Sequence, residues 1–191
     1  LKTIQDEHPR RMADVSAKAV IYLIDQQDQT YREYIAPNWP GLRVILNDEQ
    51  FPAIAYGWRD AMSSRLEKYF DAPWMRENIL QGHGPLCAGY ENRNGEFISE
   101  GDSPAFMHLI GTGLRTLEDP SYGGWGGRFR LKDPGGALWI DAEDDGRSFK
   151  PITRWAEDFQ NDWAARADWC VLPPDKANHP PKVVLAHEDD L

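Results

Sequence analysis

Glu100-Gly101-Asp102-Ser103-Pro104-Ala105-Phe106 sets an acidic pair directly before a helix start. Ser103 is a preferred N-cap residue and Pro104 suits the first helical position. Phe106, Leu109, Ile110 and Leu114 continue at the three- and four-residue spacing of a buried helical face. Carboxylates held on a loop near the positive end of a helix suit oxygen-loving ligands and polar substrates. Further along, Tyr122-Gly123-Gly124-Trp125-Gly126-Gly127-Arg128-Phe129 surrounds one tryptophan with glycines and follows it with an arginine. Backbone of that kind can approach a ligand closely while Trp125 offers an aromatic face and Arg128 a cation. The two segments together predict the rim of a site. The plainer alternative for the second is a structural glycine turn around a core tryptophan.

Elements of an α/β fold are expected to position these groups. Residues 17–24 (Ala-Lys-Ala-Val-Ile-Tyr-Leu-Ile) form a short continuous apolar run, which predicts a buried parallel strand. Residues 30–36 have helical character, stopped by Pro37 and Pro40, and residues 41–46 give a second strand. In such a β-α-β unit ligands sit beyond the carboxyl ends of the strands. Asp25, Gln27 and Asp28 are placed there, and carboxylates and amides can grip vicinal hydroxyls. Ordinary turn chemistry at a strand end explains the same residues equally well.

Helices are predicted over 58–69 and 73–80, and a strand over 135–140. A long helix is predicted over 152–170, where Trp155, Phe159, Trp163, Ala167 and Cys170 share a stripe. Asn161 and Asp162 lie on that helix, either as substrate contacts or as members of a satisfied polar network. The acidic run Asp141-Ala142-Glu143-Asp144-Asp145-Gly146 reads as a solvated hairpin or loop. His83 and His108 have no partner at metal-ligand spacing and read as structural. Residues 1–172 are expected to form one domain portion. Residues 173–191 are expected to form an extended linker, with Val183-Val184-Leu185 opening a further module.

The chain has 191 residues, long enough for a real core, and carries a net charge of −10 from 21 basic and 31 acidic residues. That balance argues against nonspecific binding to nucleic-acid phosphates. No apolar run approaches the length of a membrane span. The two cysteines, Cys87 and Cys170, are too few for a disulfide framework and read more simply as separate buried thiols than as one bridge.

The two motifs, taken with Gln160-Asn161-Asp162-Trp163-Ala164-Ala165-Arg166-Ala167-Asp168-Trp169 and Ala177-Asn178-His179-Pro180-Pro181, carry a family resemblance. The chain resembles the nucleoside hydrolase-like family of bacterial proteins, in its branch labelled cellulose-binding, from roughly Ala19 to Pro181. The resemblance implies an open, mainly parallel, Rossmann-like α/β sheet with flanking helices. It implies a calcium-dependent hydrolase of glycosyl bonds, N-glycosyl above all, with a noncatalytic carbohydrate-binding protein on the same fold as the alternative. Asp102 matches the late carboxylate that closes the metal site.

The residue before that aspartate is commonly a histidine, proposed to protonate the leaving base; here it is Gly101, which leaves Glu100 as the candidate acid. Trp125, Arg128, Asn161, Asp25, Gln27 and Asp28 are the candidate substrate contacts. Family members begin with an Asp-rich loop after a first strand. No such loop occurs in that context here, so the chain is expected to be a C-terminal portion whose partner is the N-terminal half of the same protein. The resemblance also favours a periplasmic or secreted location, and a homo-oligomer is possible.

Overall fold

The structure, a computed structural model, describes residues 1–90 and 94–179. Four strands, β1 (Val20–Ile24), β2 (Arg43–Asn47), β3 (Phe129–Leu131) and β4 (Leu138–Asp141), form one sheet in the order β1-β2-β4-β3. The helices are α1 (Lys2–Glu7), α2 (Met12–Lys18), α3 (Ala36–Asn38), α4 (Trp58–Ala61), α5 (Ser64–Glu67), α6 (Ala72–Met75), α7 (Gly84–Ala88), α8 (Ser103–Met107), α9 (Lys150–Thr153) and α10 (Ala156–Trp169). The chain divides into two compact units. The first comprises Leu1–Lys68 and Ile98–Glu157, the second Tyr69–Phe97 and Asp158–Leu191. The expected strand around Val183-Val184-Leu185 lies outside the described residues.

The first unit is the open α/β sheet that the sequence predicts. β1, β2 and β4 run parallel, and β3 closes one edge antiparallel to β4. Side chains alternate along each strand, and the register sorts them into two faces. Ile21 and Leu23 share a face with Val44 and Leu138, and this face packs against Leu1, Ile4, Met12, Val15, Ile35, Trp39 and Leu42. The helical stretch that follows β1 continues through Pro37 to Asn38, two residues beyond the predicted end at residue 36, and delivers Trp39 into this core at 1% exposure. The opposite face carries Tyr22, Ile45, Asn47, Asp141 and Phe129. It is the polar face, and it positions the candidate site.

Several expectations are corrected. Residues 17 and 18 finish α2, so β1 starts at Val20. The helix expected over 58–69 breaks into α4 and α5 because Met62 and Ser63 are extended, with Met62 buried. Phe106 and Leu109 do not form a buried face. They are 71% and 63% exposed, while Pro104 and His108 point inward. The reason is contact at close range: Gly126 backbone lies against the Pro104 carbonyl and the His108 amide. That contact sets the roll of α8 against the apolar spacing.

In the second unit α10 buries Phe159 against Phe70, whose ring also meets Phe97 edge-on, and Gln160 donates to the Tyr69 carbonyl at 2.7 Å. Residues 173–179 do not run on as an extended linker. Lys176 and Ala177 turn back onto the Pro173 carbonyl, and His179 stacks on Trp169. Among the described residues no helix is long and apolar enough to cross a membrane.

Candidate functional site at the carboxyl edge of the sheet

Three adjacent parallel strands end in polar residues. β1 runs into Asp25, β2 ends at Asn47 and runs into Asp48, and β4 ends at Asp141. The acidic run opening at Asp141 is therefore not simply a solvated loop, as the sequence reading had it. Asp141 Oδ2 accepts the amides of Asp48 at 2.8 Å and Glu49 at 2.9 Å, and Oδ1 accepts Gln50 Nε2 at 2.8 Å. A carboxylate saturated in this way acts as an anchor for the loop after β2. Asn47, fully buried, accepts the Gln50 and Phe51 amides on its Oδ1 and donates to the Tyr22 hydroxyl at 2.9 Å. Tyr22 in turn donates to the Gly126 carbonyl at 2.7 Å, and burial pushes its phenol far above the usual range.

This scaffold presents Asp48 to solvent beside Asp25, which is also exposed. Asp25 sits in the left-handed region at φ 59, its amide donating to the Asn47 carbonyl at 3.0 Å. Partial desolvation and a hydrogen bond to the Asp25 carboxyl raise Asp48, helped by the charges of Asp25, Asp141 and Glu49. Gln27 folds back onto the Ile24 carbonyl at 3.1 Å, and Asp28 accepts the Thr30 amide at 2.7 Å, so both also serve the local turn.

The Glu100–Asp102 segment reaches the same edge through the 3₁₀ turn Phe51–Ile54 that follows β2. The Glu100 amide donates to the Ile54 carbonyl at 2.7 Å. Glu100 is half-buried and accepts the Ser103 hydroxyl. Asp102 is exposed and occupies the N-cap position without capping α8. A Cβ at Gly101 would stand 3.3 Å from Ala55 and 3.6 Å from the Phe51 ring. Tyr56, just beyond this turn, is 85% exposed.

The glycine loop is tied to the same scaffold through Tyr22 and Gln50. Gly124 and Gly127 bond to each other across Trp125-Gly126, and Trp125 is half-buried. Arg128 binds Asp144 at 2.7 Å and the Glu143 carbonyl, and its backbone is held by Gln50. Asn161 lies exposed on α10 in the second unit; the other candidates belong to the first. Neither Asn161 nor Asp162 is in a buried network, and Asp162 pairs with Arg166 at 2.6 Å.

Sequence reasoning missed Asp48, Asp141 and Tyr56. The signal for Asp48 was present: Asn47-Asp48-Glu49-Gln50 directly follows the apolar run of β2, where the strand-end rule looks for ligands. A cavity of 650 Å³ opens past the end of β4, lined by Asp60, Ser63, Glu143, Arg147 and Arg154 among others.

Calcium prefers about six to eight oxygen ligands. Among the described residues no group of three or more His, Cys, Asp or Glu could hold a metal ion. Asp102 stands exposed, and Asp141 is saturated by amide donors. These residues do not by themselves fit a calcium shell.

An open, mainly parallel sheet with flanking helices defines an α/β domain. Residues 1–129 match the family described as cellulose-binding Sde182, nucleoside hydrolase-like domain, and the chain belongs to that family. The match contains both the Glu100–Phe106 and the Tyr122–Phe129 segments, starts before Ala19 and ends short of the 160–181 motifs. No curated protein and no solved structure matches the chain.

Proposed function

We propose that the first unit binds a β-glucan chain of the cellulose type at the carboxyl edge of its sheet, with Asp25 and Asp48 gripping sugar hydroxyls. The exposed Asp25–Asp48 carboxyl pair at the ends of β1 and β2 is the observation that carries this reading. Ionised carboxylates accept several hydroxyl hydrogen bonds, and vicinal diols supply donors in pairs. Hydroxyl donors would also satisfy the partly desolvated Asp48 carboxyl. Tyr56 and Trp125 offer the aromatic faces on which sugar rings stack, and the family description names cellulose binding.

The test is calorimetric titration with a soluble cello-oligosaccharide. Asp25→Asn and Asp48→Asn should each weaken binding about tenfold or more. Unchanged affinity in both variants would move the binding site elsewhere.

Hydrolysis of a glycosyl bond is the second reading, favoured by the exposed Asp102 beside Glu100 and by the nucleoside hydrolase-like description of the family. Two features weigh against it. Gly101 takes the place of the expected acid histidine. A calcium-dependent route would also need ligands beyond those the described residues bring together. Chromatography of the oligosaccharide after long incubation separates the two: unchanged sugar supports binding, and released sugar supports hydrolysis.

A further inference from the structure

The second unit brings its two cysteines together. α7 lies beside the C-terminal end of α10: His83 Nε2 is 3.1 Å from Asp168 Oδ1, and a Cβ at Gly84 would stand 3.2 Å from Val171 Cγ1. One turn further along α7, Cys87 lines the same 310 Å³ cavity as Cys170, together with Ile79, Leu86 and Trp163. Both thiols are free, as expected, but Cys87 is half-buried and Cys170 exposed, so the expectation that both are buried is corrected. Cys170 Sγ donates to the Arg166 carbonyl at 3.6 Å, which turns the sulfur back along α10.

We propose that Cys87 and Cys170 form an intrachain disulfide that fastens α7 to the end of α10. The oxidant is a low-molecular-weight disulfide such as oxidised glutathione. The exposed Cys170 thiolate attacks one glutathione sulfur, forming a mixed disulfide and releasing one glutathione thiolate. Cys87 then loses its proton to solvent and displaces the second glutathione, closing the Cys87–Cys170 bond. Two protein thiols are oxidised and one glutathione disulfide is reduced to two thiols, so atoms and electrons balance. Burial and the adjacent Cys170 thiol push Cys87 above its ordinary range, which makes the second step the slow one at neutral pH and faster as pH rises. Such a bond persists in an oxidising compartment, the location that the family resemblance favours.

Intact-mass and nonreducing peptide mass spectrometry test this on the whole chain incubated with oxidised glutathione. The expected product is a monomer lighter by two hydrogens, with one cross-linked peptide pair joining Cys87 to Cys170 and reversed by dithiothreitol. Closure should accelerate with pH. The oxidised form should melt about 5–10 °C higher than the reduced form. Cys87→Ser should stop at a glutathione adduct on Cys170. Two stable adducts on one wild-type chain, two persistently free thiols, or a cross-link between chains would each overturn the proposal.

Discussion

A methyl group at Gly126 would stand 2.4 Å from the Pro104 carbonyl oxygen and 2.8 Å from the His108 amide nitrogen, both backbone atoms that cannot step aside. Gly126→Ala should therefore cost about 3 kcal/mol or more in urea unfolding. Gly111→Ala, with nothing within 4 Å of its Cβ, should stay within about 0.5 kcal/mol. Beneath the same contact lies His108, 3% exposed, its Nδ1 without a hydrogen-bond partner among the described residues. Burial, and then the charge of Arg43, lower its pKa from 6.5 to about 4. Between those two values the unfolded chain binds a proton that the folded chain does not, so stability falls as pH drops from 6.5 and levels off for this group below about 4. The loss should amount to about 2–3 kcal/mol and should be absent in His108→Gln, measured by unfolding across that pH range.

At the scale of elements, the loop after β2 depends on β4. Asp141→Ala would strand the amides of Asp48 and Glu49 and the Gln50 side chain. It should cost about 2 kcal/mol of stability and also weaken sugar binding, because it lets go of the loop that presents Asp48. Asp48→Ala should weaken binding and leave stability almost unchanged. The pairing of those two readouts separates a positioning residue from a contacting one.

β1 and β2 were legible because buried parallel strands are written as short apolar runs, as in 17–24 and 41–46, whereas the three-residue edge strand β3 was not. The polar clasp was not. Asp141 reads as one more acid in an acidic run, and only the pairing of β4 with β2 brings it to the Asp48 amide. The roll of α8 was misread for a related reason. Periodicity favoured Phe106 and Leu109 inward, but a backbone contact with Gly126, distant in sequence, decided the outcome. The cysteines show the same gap: spacing along the chain says nothing of the contact between α7 and the end of α10.

For the molecule as a whole, the net charge of −10 sits badly with an anionic polymer and is neutral towards a glucan. Affinity for a cello-oligosaccharide should therefore change little between low and high salt. It should fall on acidification, beginning above the ordinary carboxylate range, because Asp48 takes up its proton early and gives up an acceptor. The central claim is the location of the ligand. It is tested most directly by ¹⁵N-edited NMR of the whole chain titrated with a soluble cello-oligosaccharide. The account predicts shifts gathered in residues 24–28, 47–51 and 100–103, at the carboxyl edge of the sheet, and at the stacking residues Tyr56 and Trp125. Shifts confined to other segments, or none at saturating sugar, would contradict it.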